Sequence, residues 1–484
     1  MRNFIRLYIN GQPCQISGDI AFLSLANYLR YERQATGTKI VCEEGDCGAC
    51  SVLLGRMEGD QLVYRPINAC IQFLYQLDCT HIITVEGLKL DGKLNPVQEA
   101  MVDEHGAQCG YCTPGFVVTM CSLLDKKPAQ VSCQDLKDGL TGNLCRCTGY
   151  EPILRAGMSV ELLNIKPIQQ LYPSEPMIRD FQAHIQEDVR IEAGARLFFC
   201  PASVESAVAF KAEHAGTVVV SGGTDIGVIC NKRGIEPSVV MSTAHLPALE
   251  QIESQTDADG QTILTVGARV TLSVLEAYMK DRVPELHKIL NVFGAPQIKN
   301  AGTLAGNIAN GSPIGDSLPF LMVMDAEVEL TGVQGTRIVN MNRLYKGYRT
   351  LDMQPDELIT RIRIPLPTAN ETLRLYKVSK RKHLDISAFT AAIRLTMEDE
   401  LITSARLAYG GVGPVVLRLP ETEAFLAGKP MTEATFREAG KIARQEVTPI
   451  SDVRGSQAFR LQLAENILMK FYFEVAETPE AVCP

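Results

Sequence analysis

Near the amino terminus apolar and polar positions alternate. Ile5, Leu7 and Ile9 interleave with Arg6 and Tyr8, an Asn10-Gly11 pair follows, and Cys14 and Ile16 resume the alternation. A period of two on either side of Asn-Gly predicts a β-hairpin. Leu23 to Arg30 switches to helical spacing and Cys50 to Leu54 reads as a strand. Residues 1–80 are therefore expected to be a small sheet crossed by one helix, the β-grasp shape. From residue 81 the period becomes helical. Asn95-Pro96 and Thr113-Pro114 place proline just inside helix starts. With the stretches Cys133 to Leu140 and Ile153 to Leu162 they predict a four-helix domain over 81–165. Between 166 and 190 periodicity fades, and Lys166-Pro167, Tyr172-Pro173 and Glu175-Pro176 predict an extended linker. An α+β domain is expected over 191–370, opened by the apolar run Val218-Val219-Val220. Alternation at Ile393 to Met397 and Ala405 to Tyr409, then helical spacing near 421–427, 434–446 and 456–472, predicts an α+β cap over 371–484. The expected class is α+β multidomain.

Cysteine spacing supplies the first chemistry. Cys42, Cys47 and Cys50 read C-x4-C-x2-C, and Cys70 follows twenty residues on, the plant-type spacing for a [2Fe–2S] cluster. The intervening Glu43-Glu44-Gly45-Asp46 and Gly48-Ala49 let the backbone wrap closely and aim N–H groups at the sulfurs. Cys109 and Cys112, then Cys145 and Cys147, make a second quartet of two close pairs. By spacing alone that quartet suits either a second [2Fe–2S] cluster or zinc. Met1 to Phe4 shows no apolar leader, so a cytoplasmic chain is expected, where clustered cysteines serve metals rather than disulfides. The other seven of the 15 cysteines, Cys14, Cys79, Cys121, Cys133, Cys200, Cys230 and Cys483, have no ligand spacing and read as small apolar residues.

Two glycine-rich stretches follow. Ser221-Gly222-Gly223-Thr224-Asp225 comes straight after the apolar strand, where backbone N–H groups could meet a pyrophosphate. By itself this is equally a plain tight turn. Ala301 to Pro313 combines small residues, amides and a hydroxyl, with Asp316 three residues later, and the pair would embrace an extended dinucleotide such as FAD. A net charge of −9 disfavours nucleic acid and anionic membranes as partners. No apolar run reaches the length of a membrane span.

Three motifs then carry a specific resemblance. Cys42-Glu43-Glu44-Gly45-Asp46-Cys47-Gly48-Ala49-Cys50, Gln108-Cys109-Gly110-Tyr111-Cys112-Thr113-Pro114-Gly115 and Asn143-Leu144-Cys145-Arg146-Cys147-Thr148-Gly149-Tyr150 resemble the molybdenum hydroxylases, the xanthine dehydrogenase and aldehyde oxidase family. The flavin elements occur in the same order, so the resemblance covers nearly the whole chain. It implies a plant-type [2Fe–2S] ferredoxin domain, a helical [2Fe–2S] domain, an FAD-binding domain and a C-terminal flavoprotein domain. The two quartets would each hold a cluster. FAD would lie against Val219, Val220, Ser221, Gly222, Gly223, Thr224 and Asp225, and against Gly306, Asn307, Ser312 and Asp316. Phe293 falls on the family's aromatic beside the isoalloxazine, although by its own pattern it is an ordinary core phenylalanine. Lys377 and Tyr348 would lie near the flavin and the nicotinamide entry, and Gln108 and Cys147 near the pterin of a partner. The segment Lys380-Arg381-Lys382-His383-Leu384-Asp385 carries one acid among several bases where the family clusters acids, which leaves the acceptor, NAD or another, open.

The family's molybdenum domain, with its glutamate base, has no counterpart in these 484 residues. The resemblance therefore implies an electron-transfer subunit with no catalytic residue of its own for hydroxylation. It would pass electrons from a molybdenum cofactor on a partner subunit to FAD and then NAD, in an assembly of two plus two chains. A partner acting on aldehydes or other N-heterocycles, and a stand-alone NADH diaphorase, stay open.

Overall fold

A computed structural model describes residues 1–89, 92–127, 130–258 and 260–476; Cys483 lies outside them. The chain forms two compact units, Met1–Pro247 with Gly294–Thr303, and Ala248–Phe293 with Leu304–Pro484.

The first unit opens with strands β1 (Ile5–Ile9) and β2 (Gln12–Ile16), the expected hairpin. Helix α1 (Leu25–Asn27) is shorter than its spacing suggests and passes into a wider π-type turn, Tyr28–Glu32, while the Ser24 hydroxyl accepts from the Asn27 N–H at its start. Strands β3 (Ser51–Glu58), β4 (Gln61–Asn68) and β5 (Thr80–Ile83) complete a sheet ordered β2-β1-β5-β3-β4, in which β1 and β5 run parallel. Four helices follow: α2 (Pro96–Asp103), α3 (Thr113–Asp125), α4 (Cys133–Gly139) and α5 (Glu151–Ser159). Asn95 caps α2, its side chain accepting from the Val97 and Gln98 N–H groups. Helix α3 is apolar nearly all round, so it is buried rather than amphipathic, and it packs on β3.

The segment expected to be an extended linker contains helix α6 (Ser174–His184). Met177 and Phe181, four apart, share one helical face and are 3% and 0% exposed. Pro176 falls in the first turn, where a backbone N–H would have no partner in the helix. Prolines at 173 and 176 masked that single buried stripe.

Strands β6 (Val189–Ala193), β7 (Arg196–Cys200), β8 (Val218–Val220) and β9 (Val239–Ser242), with helices α7 (Val204–Glu213) and α8 (Ile226–Arg233), form a second sheet ordered β6-β7-β9-β8. Its Ile191, Phe198, Val220 and Val240 share one core with Leu7, Val52 and Ile67 of the first sheet. The two sheets therefore fold as one body.

In the second unit, β10 (Ile252–Thr256), β11 (Thr262–Gly267), β12 (Glu327–Gly332) and β13 (Gly335–Asn340) precede two short strands, β14 (Tyr345–Gly347) and β15 (Thr350–Leu351). With β16 (Leu358–Pro365) they give an antiparallel sheet ordered β10-β11-β16-β12-β13. Strands β17 (Glu371–Val378), β18 (Phe389–Glu398), β19 (Leu401–Gly410) and β20 (Leu417–Arg418) form the last sheet, covered by helices Glu433–Gln445 and Gln457–Ala476. Arg460, 2% exposed, donates to the carbonyls of Ala388 and Ile450 and to Asp452. A guanidinium this deep is tolerated because its donors are matched.

Candidate functional site

The loop between α1 and β3 brings Cys42, Cys47 and Cys50 to Cys70, which follows β4. Cys50 and Cys70 are buried, Cys42 and Cys47 half-buried. The Cys47 N–H points at the Cys42 sulfur at 3.4 Å. Hydrogen bonds from the Cys47 and Cys70 thiols pull Cys42 far below the ordinary thiol range, and the same contacts with Cys42, aided by burial, push Cys47 and Cys70 up. The Cys42 sulfur is thus in contact with those of Cys47 and Cys70. Asn68 braces the loop, its amide donating to the Gly45 carbonyl at 2.7 Å.

The second quartet is assembled at helix starts. Cys112 sits just before α3, and Cys145 and Cys147 precede α5. The Cys147 and Cys109 sulfurs are 3.5 Å apart. Burial, reinforced by a contact with Cys145, pushes Cys112 up to about 12. Burial acts in the same direction on Cys145, but the Thr148 hydroxyl and N–H outweigh it and hold that thiol lower. Tyr150 adopts a left-handed backbone (φ 71), its hydroxyl accepts from the Cys145 N–H, and its ring packs edge-on against Phe116. Cys109 and Cys147 are exposed, beside Tyr111, Leu144 and Tyr150, which are 48%, 38% and 38% exposed.

The two cysteine loops touch. The Leu144 N–H, one residue before Cys145, donates to the Cys47 carbonyl at 2.9 Å, and the Asn143 amide donates to the Gly48 carbonyl. Gly48 has φ +68, and a Cβ there would lie 2.1 Å from the Gly142 carbonyl oxygen. Only glycine meets both conditions. Gln297, 1% exposed, donates to Ser51, Thr119 and Asn143 at 3.2, 3.1 and 2.9 Å and so joins the first sheet, α3 and the second cysteine loop.

On its other side the first quartet backs onto the loop between β8 and α8. The Asn231 amide of α8 donates to the carbonyls of Cys70 (2.8 Å) and Glu43 (2.9 Å). The Gln72 amide donates to the Gly222 carbonyl at 2.7 Å. A Cβ on Gly222 would stand 2.0 Å from the Ala301 carbonyl oxygen, so the backbone itself fills that space. Among the described residues, no backbone N–H from Ser221 to Ile226 donates to another group of the protein. The buried Nε2 of Gln76, also without a partner, lies against Gly223. A row of unspent donors running into a helix start fits a diphosphate, and an orphaned buried amide fits a polar group bound beside it. Val219 and Val220 end β8; Ser221, Thr224 and Asp225 complete the loop.

Gln108, one residue before Cys109, lies in the first unit, while the remaining expected flavin residues lie in the second. Asp316 and Lys377 meet there, both side chains nearly buried. The three ammonium donors of Lys377 go to Asp316, the Asp385 carbonyl and Ser387, whose hydroxyl donates to the other Asp316 oxygen. Burial raises Asp316, and Lys377 offsets part of that rise. Asn307 accepts from Ser317 at 2.6 Å. Gly306 and Asn307 lie on a short helix, Leu304–Asn310, Ser312 in the loop after it, and Phe293 half-buried at the end of another, Pro284–Phe293. Tyr348 is 61% exposed. Sequence reasoning missed Gln72, Gln76, Asn231, Gln297 and Ser387, each of which acts across a long sequence separation.

Comparison with known proteins accords with this geometry. Residues 84–158, which include the second quartet, match the [2Fe-2S] binding domain; 190–367 match the FAD binding domain in molybdopterin dehydrogenase; and 374–475 match the CO dehydrogenase flavoprotein C-terminal domain. The chain is 28% identical to xanthine dehydrogenase 1 of Arabidopsis thaliana, over 97% of this chain and 39% of that protein. It is equally similar to xanthine dehydrogenase/oxidase of Gallus gallus, over 97% and 40%. The chain thus spans about two fifths of the length of the curated relatives it matches. Solved structures with a similar fold include a Cu,Mo-CO dehydrogenase (TM-score 0.53, 27% identity, 56% of this chain and 94% of that one) and quinoline 2-oxidoreductase from Pseudomonas putida 86 (0.53, 26%, 57% and 95%).

Proposed function

We propose that this chain, a homologue of the xanthine dehydrogenases, is the electron-transfer subunit of a two-subunit enzyme that oxidises hypoxanthine and xanthine to urate with NAD as acceptor. Its cofactors are two [2Fe–2S] clusters and FAD; the molybdenum cofactor belongs to a partner subunit, in an assembly of two plus two chains. One observation carries the reading. In the first unit a quartet with two exposed cysteines, a quartet with two buried ones and a loop of unspent N–H groups follow one another, joined by hydrogen bonds that include Leu144–Cys47 and Asn231–Cys70.

Bound clusters exchange single electrons, and bound FAD pairs them for hydride transfer to a nicotinamide. The protein's part is to hold and space these groups. Cys42, Cys47, Cys50 and Cys70 ligate the inner cluster, and Cys109, Cys112, Cys145 and Cys147 the outer one. The amides of Ser221 to Ile226 bind the FAD diphosphate. Gly306, Asn307, Ser312 and Phe293 are its further contacts, while Lys377 holds the Asp316 carboxylate in place rather than offering a free proton. A partner oxidising a different N-heterocycle is the second reading, favoured by the likeness to quinoline 2-oxidoreductase.

Anaerobically purified protein should contain about four irons and one FAD per chain. Cys47→Ser and Cys112→Ser should each remove a different cluster's paramagnetic signal and leave the other. Zinc in place of iron, or loss of both signals from a folded single variant, would refute the assignment.

A further inference from the structure

Away from the two quartets, the first unit buries another group of metal-binding side chains. Asp78 and Cys79 occupy the turn into β5, and His245 the turn after β9; they are 3%, 3% and 2% exposed. One ligand atom of each lies within 4.8 Å of the other two. The His245 Nε2 is 3.0 Å from the Asp78 Oδ2, and the Cys79 sulfur is 3.6 Å from the same oxygen. Cys200, fully buried at the end of β7, also interacts with the imidazole. None of these residues has a part in the electron route.

The imidazole is the centre of this group. Both of its nitrogens are buried, Nε2 is 3.0 Å from the Asp78 carboxylate, and the Cys79 and Cys200 thiols also interact with the ring. A carboxylate, an imidazole and a thiol gathered in one buried place are the side chains that together hold a soft divalent cation. Cys79 meanwhile holds a left-handed backbone (φ 53), which a cysteine adopts only under constraint. Asp78 is braced as ligating carboxylates are. Arg2 grips both of its oxygens, at 3.1 and 2.7 Å, and the Arg6 N–H donates to Oδ1 at 2.6 Å.

We propose that Asp78, Cys79 and His245 form a binding site for a thiophilic divalent cation of the zinc class, fastening the first sheet to the β6–β9 sheet. Thiolate, imidazole and carboxylate are the ligand types zinc takes, and the sulfur argues against magnesium and calcium. Binding displaces two protons to solvent, one from the Cys79 thiol and one from the imidazole Nε2 that faces Asp78. The charges then balance: Glu187, 3.3 Å from Arg2, offsets that guanidinium, and Asp78 with the Cys79 thiolate offsets the dication. Cys200 is placed to be a fourth ligand or the imidazole's outer partner.

The test uses the full chain with iron, flavin and zinc all quantified, after expression in zinc-supplemented medium. Zinc should be present at roughly one per chain, and its X-ray absorption should show one or two sulfurs at about 2.3 Å with nitrogen and oxygen completing the shell. Cys79→Ala and His245→Ala should each lose zinc while iron and FAD are retained. Adding Zn2+ to chelator-treated wild type should raise its melting temperature. If the variants do not fold, the wild-type absorption spectrum decides alone. A shell of four sulfurs places the zinc in a cysteine quartet and overturns the proposal. So do zinc undiminished in Cys79→Ala, and protein without zinc whose melting temperature ignores added Zn2+.

Discussion

Glu357 illustrates what a single residue contributes here. It is 6% exposed, accepts from the Arg337 guanidinium at 2.5 and 2.8 Å and from the Gln354 N–H at 2.7 Å, and the Arg337 bonds hold its carboxyl below the ordinary range. A depressed carboxylate stabilises the fold fully above its unfolded pKa of about 4.3 and loses that contribution as pH falls through the lower folded value. Arg337→Gln strands a largely buried anion, which should cost about 2 kcal/mol at neutral pH. Denaturant unfolding at pH 7 and pH 3 checks this. The two proteins should differ at pH 7, and the gap should narrow toward pH 3 as Glu357 gains its proton. An equal gap at both values would mean the guanidinium acts through packing alone.

At the scale of elements, legibility followed sequence distance. The β1–β2 hairpin, the helix starts at Asn95-Pro96 and Thr113-Pro114, and the ligand spacings were readable because each is set by neighbours within a few dozen residues. Helix α6 was not, because prolines at 173 and 176 obscured one stripe whose burial is decided by distant partners. The shared core of the first two sheets was equally hidden: Val52 and Phe198 come to share one core only once both sheets exist. Of the candidate site, the cysteines announce themselves by type and spacing. Gln297 does not, since Ser51, Thr119 and Asn143 lie more than 150 residues away. Gln297→Leu tests that linkage. It removes one donor from three buried acceptors, so it should lower stability by about 2–3 kcal/mol. Thermal unfolding of the holoprotein should show the first transition moved down by several degrees. A shift within error would mean the three acceptors find other donors and the amide is incidental.

For the whole molecule the order of groups implies a direction. A quartet with two exposed cysteines, flanked by Tyr111, Leu144 and Tyr150, suits an electron donor that docks, whereas the inner quartet, with two buried cysteines, suits transfer inside the chain. Large aromatic and aliphatic side chains left in water beside a redox group are the kind of patch a partner covers. Nothing in this chain's proposed machinery activates a purine, while the proposed flavin and nicotinamide contacts are all its own. The isolated chain should therefore oxidise NADH with an artificial dye yet leave xanthine untouched, and adding a molybdopterin subunit should restore xanthine-dependent NADH formation. Tyr111→Glu places a charge in the exposed patch without touching a cysteine. It should weaken co-purification of that subunit while the iron content and NADH–dye activity of the isolated chain stay as in wild type. Xanthine turnover by the chain free of any molybdenum protein would refute this division of labour, and undiminished assembly of Tyr111→Glu would move the docking face elsewhere.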